Sequence, residues 1–255
     1  MKNKNSLGKA VYVVGKILAI FLIVAIIGAI IQGVSSIFFN KDDNDTDDES
    51  SYISQDYIDG LSGYCLVANL KGTDVTVNSG DKFDYKTNNK NVKVTRQNDK
   101  IVITETKNEK KNSKLELTVP KDREFRTVDF SSGAGDVTVN GLYSQELDFE
   151  LGAGDVTVNN LVVSGSAEID CGAGNFNVNG GSIKNLELNS GVGDISLSSA
   201  FSGDCEINSG IGKVDINVLG NASDYTVTFS KMAGKVSVDG KKVSEDSTIG
   251  NGKNE

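Results

Sequence analysis

The chain has 255 residues, a formal net charge of −9 and an isoelectric point near 4.7. This acidic balance argues against nucleic-acid binding, which begins with a basic surface. The chain contains no His, so the commonest general acid–base and metal-binding side chain is missing. Its 28 Gly and single Pro are also unusual for an enzyme. The composition therefore favours a non-enzymatic protein.

An apolar stretch near the N-terminus predicts a membrane anchor. The 21 residues from Val11 to Ile31 contain one charge, Lys16, and about 20 apolar residues suffice to cross a bilayer as a helix. Lys residues precede the stretch and acidic residues follow it, so the positive-inside rule places the N-terminus in the cytoplasm. We expect residues 1–40 to form a short cytoplasmic tail and a transmembrane signal-anchor, with the rest outside the cytoplasm.

A cleaved signal peptide is the alternative, because the 15 uninterrupted apolar residues from Ile17 to Ile31 also fit a signal-peptide core. No small-residue cleavage motif follows them, so we expect the anchor to be retained. Residues 41–62 carry eight acids and one Lys, a composition typical of a solvated, self-repelling linker.

Residues 63–130 predict further strands that cap the repeats described next. The expected strands are 65–70, 74–78, 91–96, 101–106 and 115–119. Gln97–Lys100 has the composition of a hairpin turn. Asp74–Asn78 repeats the sequence of Asp136–Asn140, so we expect it to belong to a first, irregular coil.

A Gly-x-Gly motif recurs at intervals of 19, 20, 19 and 19 residues from Gly133 onwards. So regular a period predicts a solenoid whose coils bury their apolar faces on one another, and we assign it to residues 131–255. Apolar residues alternate with polar ones on both sides of each motif, which predicts a parallel β-solenoid with two strands per 19–20-residue coil. One core column is expected to contain Phe130, Phe149, Ile169, Leu188 and Ile207.

Two further columns of the repeat suggest structural roles. Asparagine recurs seven residues after the first Gly of the motif, and stacked amides can form a hydrogen-bonded ladder (Asn140, Asn159, Asn179 and Asn217, with Ser198 in the same column). Cys171 and Cys205 fall in different columns of non-adjacent coils, which predicts buried free thiols and no disulfide.

One carboxylate per coil stands four residues before the first Gly (Asp129, Asp148, Glu168, Glu187 and Glu206). We call this set the acidic column. Three interpretations stay open: a solvated face that limits aggregation, a surface for Ca²⁺ or a basic partner, and a glycosidase carboxylate pair. Asp136, Asp155 and Asp194 follow the motif directly, and we interpret them as polar strand starts or, alternatively, as calcium ligands.

The anchor, the strand-rich segment ending in Thr118-Val119-Pro120 and the Gly-x-Gly-Asp-Val-x-Val repeats together resemble the bacterial putative-adhesin β-strand-repeat family, a domain of unknown function. The resemblance covers residues 64–250 and implies an extracytoplasmic parallel β-solenoid. It supplies no catalytic residues.

We therefore expect a membrane-anchored, non-enzymatic, adhesin-like module with no cofactor, although Ca²⁺ stays open. Residues 11–31 would contact the membrane, and the partner would be an envelope protein or glycan. An envelope-stress sensor or accessory protein is the first alternative. A polysaccharide-active β-helix enzyme is the second, against which stand the short two-stranded coils and the lack of a charged cleft.

Overall fold

A computed structural model describes residues 64–108, 111–121, 123–221, 223–244 and 247–252. The predicted anchor and the acidic linker lie outside these residues. Within them, no helix is long and apolar enough to cross a membrane.

Fifteen strands form one hydrogen-bonded sheet in the described residues, and most neighbouring strands are parallel. The strands are β1 Cys65–Leu70, β2 Asp74–Gly80, β3 Asp84–Thr87, β4 Val92–Gln97, β5 Lys100–Glu105, β6 Lys114–Pro120, β7 Phe125–Ala134, β8 Val137–Ala153, β9 Val156–Ala173, β10 Phe176–Lys184, β11 Leu186–Val192, β12 Ile195–Val218, β13 Tyr225–Val238, β14 Lys241–Val243 and β15 Ser247–Gly250.

The repeats form the predicted parallel β-solenoid, and the predicted core column lies inside it. Ala68 continues that column below Phe130, and Ile103 lies below Ala68. Phe229 continues it above Ile207, so eight residues stack in register and all are buried. The rings of Phe130 and Phe149 lie 5.5 Å apart at 55°. Burial of this continuous apolar column stabilises coils that could not fold alone.

The prediction of two strands per coil is wrong for the coils that contain β8, β9, β10 and β12, because each of them has an additional hydrogen-bonded segment. Between β8 and β9 the pairing runs through residues 137–140, 142–144 and 146–151 of β8. The chain bends at Gly141, where φ is +90°, and the register shifts between Ser144 and Glu146. A segment of three residues is too short to show a period of two, so the sequence did not reveal it.

Glycines at the Gly-x-Gly corner allow neighbouring coils to approach closely. The second Gly of each motif has positive φ, for example +132° at Gly174 and +146° at Gly193. A Cβ atom at either position would overlap the backbone of the coil below. The corner therefore requires glycine for two reasons, its conformation and the space.

The order of coils at the N-terminal end differs from the order of the sequence. Strand β1 pairs in parallel with β5 on one side and with β7 on the other. Strand β2 likewise lies between β6 and β8, with Val75–Asn78 in register with Val137–Asn140. Asp74–Asn78 thus belongs to an irregular coil in register with the repeats, as expected, but this coil is not the first, because the later residues 100–120 form a further coil beneath it. The sequence analysis also missed β3.

Both ends of the stack finish in antiparallel strands. At the N-terminal end, β3 pairs with β6, and β4 pairs with β5 through the predicted hairpin at Gln97–Lys100. At the C-terminal end, β14 and β15 pair with β13. These short strands cover edges that would otherwise present unpaired backbone groups to another chain.

A buried polar network holds the corner of the coil that contains β1. The carboxylate of Glu105 is fully buried and accepts hydrogen bonds from the backbone N–H groups of Lys71 and Gly72 at 2.7 and 2.9 Å. Asn89 donates to its other oxygen at 3.1 Å. This corner lacks the Gly-x-Gly motif, and a side chain from β5 satisfies two of its donors.

The predicted asparagine ladder and free thiols are present. Asn159 donates to Asn140 at 2.8 Å, and Asn179 donates to Asn159 at 3.1 Å.

All three cysteines are free. Cys65 and Cys205 are buried as whole residues, whereas Cys171 is half-buried. Burial raises the pKa of the Cys171 thiol to about 12, so this side chain acts as a small hydrophobe.

Candidate functional site

The acidic column stacks in register on the outer face of the solenoid. Asp129, Asp148, Glu168, Glu187 and Glu206 pair successively through strands β7, β8, β9, β11 and β12. Four of the five residues are exposed, and Glu187 is half-buried. Neighbouring strands in a sheet lie about 4.8 Å apart, so the carboxylates form a row at that spacing.

The acidic column lies in a groove of about 460 Å³, beside the bend that precedes residues 146–151 of β8 and the residues paired with them. Four of its five members line the groove, and Glu206 does not. The lining residues are Thr127, Val128, Asp129, Glu146, Leu147, Asp148, Ser166, Ala167, Glu168, Asn185 and Glu187. No Lys, Arg or aromatic residue is among the described residues that line it, so the groove is a strongly acidic surface.

A second row of polar residues lies two positions further along each strand. It contains Glu150, Asp170, Asn189 and Asn208, which pair in register. Asn208 donates to Glu206 at 3.0 Å and to Asn189 at 3.0 Å. In the β8 and β9 coils the same positions hold carboxylates, which add to the negative charge. The acidic column is therefore held by amides at its C-terminal end and surrounded by further acids near its centre.

Removal from water and mutual repulsion raise the pKa values near that centre. The pKa of Asp148 is raised to about 7, chiefly by desolvation and then by the charges of Asp129, Glu150, Glu168 and Asp170. Desolvation also raises the pKa values of Asp129 and Glu150. Asp148 therefore takes up and releases a proton near neutral pH, and the charge of the groove changes with it.

The geometry disfavours a dedicated metal site. Within the described residues, no group of three acidic or sulfur side chains converges in a way that could hold a metal ion. Ca²⁺ takes six to eight oxygen ligands around one point, whereas a column spreads its carboxylates along a line. The arrangement suits an extended cationic partner better than a single ion.

The aspartates at the corner have a structural role. The Oδ1 atom of Asp155 accepts the backbone N–H of Asn175, one coil further on, at 2.8 Å. The same bond recurs from coil to coil between the corresponding residues. Its other members are Asp136 N–H to Asp74 at 3.0 Å, Asp155 N–H to Asp136 at 2.9 Å, Asp194 N–H to Asn175 at 3.1 Å and Lys213 N–H to Asp194 at 2.7 Å. Asn serves as well as Asp, which identifies a hydrogen-bonding role.

Sequence reasoning located the acidic column but missed the groove and one of its acids. Glu146 lines the groove and precedes Leu147 on the same segment. Its column holds Ser166 in the next coil, so no repeat marked it. Gln145, Gly165 and Asn185 lie on top of one another at the groove, and these three residue types share no motif.

The sequence and the fold can be compared with those of known proteins. No curated protein matches the sequence. A solved structure titled a putative adhesin from Bacteroides fragilis NCTC 9343 shares 16% identity, with a TM-score of 0.38, over 69% of this chain and 91% of its own. The family model described as Toastrack DUF4097 matches residues 68–255. The chain belongs to this Toastrack family, whose members carry a β-repeat domain of unknown function.

Proposed function

We propose that the protein is a single-pass membrane protein that presents its Toastrack solenoid outside the cytoplasm as a non-enzymatic, adhesin-like interaction module. In this proposal the acidic groove binds a cationic segment of another envelope component. The observation that carries it is the groove itself, in which four members of the acidic column line about 460 Å³ with no basic residue among the described lining.

Electrostatics favours a cationic partner over other ligands. Stacked carboxylates about 4.8 Å apart repel one another, and a cationic chain laid along them relieves that repulsion. Among the described residues that line the groove there is no aromatic platform on which a sugar ring could stack. An extended peptide rich in Lys or Arg matches both the shape and the charge of the groove.

Binding of a cationic probe tests this role. We expect a fluorescent polylysine peptide to bind the full chain and to dissociate as salt is raised, because screening weakens exposed ion pairs. The double variant E168Q/E187Q, which removes two members of the acidic column from the groove lining, should weaken binding many-fold. The control D204N/D224N makes the same charge change at exposed acids outside the groove lining and should bind as the wild type does. Equal losses in the two variants would show a general charge effect and contradict the groove.

The membrane location rests on the apolar stretch Val11–Ile31 and on the charge asymmetry around it. Protein extracted from membranes should keep its N-terminus. A sequence that begins near residues 35–40 would show that the segment is a cleaved signal peptide.

The identity of a partner captured at the groove would decide between an adhesin-like role and the role of a sensor or accessory protein.

One observation favours a polysaccharide-active enzyme as the second candidate. A carboxyl group with a pKa of about 7 beside ionisable neighbours has the property of a general acid, and Asp148 has such neighbours in Asp129 and Glu168. The additional segment and the carboxylate-lined groove also remove two of the arguments raised against this class. New reducing ends released from cell-wall polysaccharide by the wild type, and not by D148N, would establish it.

A further inference from the structure

Charge is segregated between the two parts of the solenoid domain. Residues 64–130 contain 14 Lys and Arg against 10 Asp and Glu, a net charge of +4. Residues 131–255 contain 7 Lys and Arg against 17 Asp and Glu, a net charge of −10. All three Arg residues of the chain fall in the first part. The N-terminal end of the stack is thus positive and the remainder is strongly negative.

The positive charge is concentrated in the outermost layer of that end. Strands β3 and β4 are the last in their ladders, and residues 81–97, which include them, contain five basic and two acidic residues. One of these acids, Asp81, is bound to Lys121 at 2.9 Å. Lys82, Lys86 and Lys93 are exposed. We call Lys82, Lys86, Lys93 and Arg96 the basic end.

The chain enters the described domain beside this layer. Tyr64 is the first described residue, and its hydroxyl accepts a hydrogen bond from the Arg96 guanidinium. That guanidinium also lies over the Tyr64 ring, 5.1 Å from its centroid. The sequence that precedes Tyr64 leads back to the apolar stretch Val11–Ile31.

From these observations we propose that the basic end binds anionic lipid headgroups of the bilayer in which the chain is anchored. The inference rests on the proposed anchor, which would tether the chain to that surface. An anionic surface attracts the net charge of +4 at this end and repels the net charge of −10 in the remainder. Both effects therefore favour contact through the basic end. The acidic column, which extends from coil to coil along the side of the stack, would then lead away from the bilayer and stay open to a partner.

Amine footprinting of the full chain in vesicles tests the proposal. The chain is reconstituted in phosphatidylcholine vesicles and in vesicles that also contain phosphatidylglycerol, and the acylation rate of each lysine is measured by mass spectrometry. We expect Lys82, Lys86 and Lys93 to react several-fold more slowly in the anionic vesicles, and high salt to remove the difference. Lys235, Lys241 and Lys242, which are exposed near the other end, are internal controls that should not change.

Two matched variants separate the basic end from overall charge. K82Q/K86Q/K93Q and K235Q/K241Q/K242Q remove the same charge from opposite ends of the stack. Tryptic cleavage after Arg96 should be slowed by anionic vesicles in the wild type and in the second variant, and should be equally fast in both kinds of vesicle in the first. Equal slowing in both variants would overturn the assignment to this end.

Other outcomes distinguish the rival occupants and the anchor. Equal acylation rates of these lysines in the two kinds of vesicle would contradict the proposal. Lysines that are already fully protected in detergent would indicate that the acidic linker 41–62, and no lipid, binds the basic end. Flotation with both kinds of vesicle supports the anchor independently. Salt-sensitive flotation with anionic vesicles alone would support the basic end and contradict the anchor, and flotation with neither would contradict both.

Discussion

The backbone carbonyl oxygen of Gly174 occupies the space that a Cβ atom at Gly193 would need. The same relationship links Gly154 with Gly174 and Gly193 with Gly212, so close backbone contact continues along the whole corner. Because the coils are in register, a side chain at one corner cannot be accommodated without moving the coil beneath it.

We therefore expect G193A to destabilise the protein by about 3 kcal/mol, as the sum of positive-φ strain and overpacking. G180A is the matched control, since Gly180 has φ of +82° and an added Cβ would meet nothing within 4 Å. It should cost only about 1 kcal/mol, from backbone strain. Urea midpoints measure both, and equal losses would show that close packing at the corner is unimportant.

The corner aspartates can be tested by removing the acceptor while keeping the shape. D155A leaves the Asn175 N–H without its side-chain acceptor and should cost about 1 kcal/mol of stability. D155N keeps an Oδ1 atom, as Asn175 itself does for Asp194, and should cost much less. A larger loss in D155N than in D155A would indicate that the charge matters and would reopen a calcium role.

Stability should fall as pH rises from about 4 to about 7 because of Asp148. Its pKa is raised from 3.8 to about 7 in the folded state, so the folded protein binds this proton more tightly than the unfolded chain. The contribution of this proton to the free energy of unfolding is fully present below pH 3.8 and is lost as the pH rises through about 7. D148N should flatten this part of the curve of unfolding free energy against pH.

Asp215 supplies a control of opposite sign for the pH experiment. Hydrogen bonds from Lys213 and Ser237 lower its pKa, so its contribution is present above its ordinary pKa and is lost as pH falls. D215N should therefore reduce stability at neutral pH and leave the decline between about 4 and about 7 unchanged. If D148N left that decline intact as well, the proton uptake would belong to another group.

Calcium should have no effect beyond ionic strength. Within the described residues, no three acidic side chains are placed so that they could hold a metal ion together, so we expect millimolar Ca²⁺ and NaCl of equal ionic strength to shift the melting temperature equally. A gain specific to Ca²⁺ that disappears in E168Q/E187Q would overturn this and identify the acidic column as a cation site, because a ligand bound only by the folded state stabilises it.

Local repetition explains how much of the fold could be predicted. The period of two recurs in every repeat and therefore predicts that Phe149 and Ile169 lie in the core, and both are buried. The additional segment, 142–144 in β8, is not predicted for two reasons. Three residues are too short to show a period of two, and Gly181, in register with Leu161, interrupts its apolar column. The groove depends on bend angles that no single residue type specifies. The placement of β5 beneath β1 is a long-range pairing of strands that do not repeat the motif.

That placement determines how the protein would carry a mechanical load. The chain enters the sheet through β1, which is an interior strand with β5 paired to it on one side and β7 on the other. Tension applied through the N-terminus would therefore have to break two parallel ladders at once, whereas an edge strand could be peeled away by breaking one. The coil formed later in the sequence thus acts as a clamp on the strand that any pull on the N-terminal side of the domain reaches first.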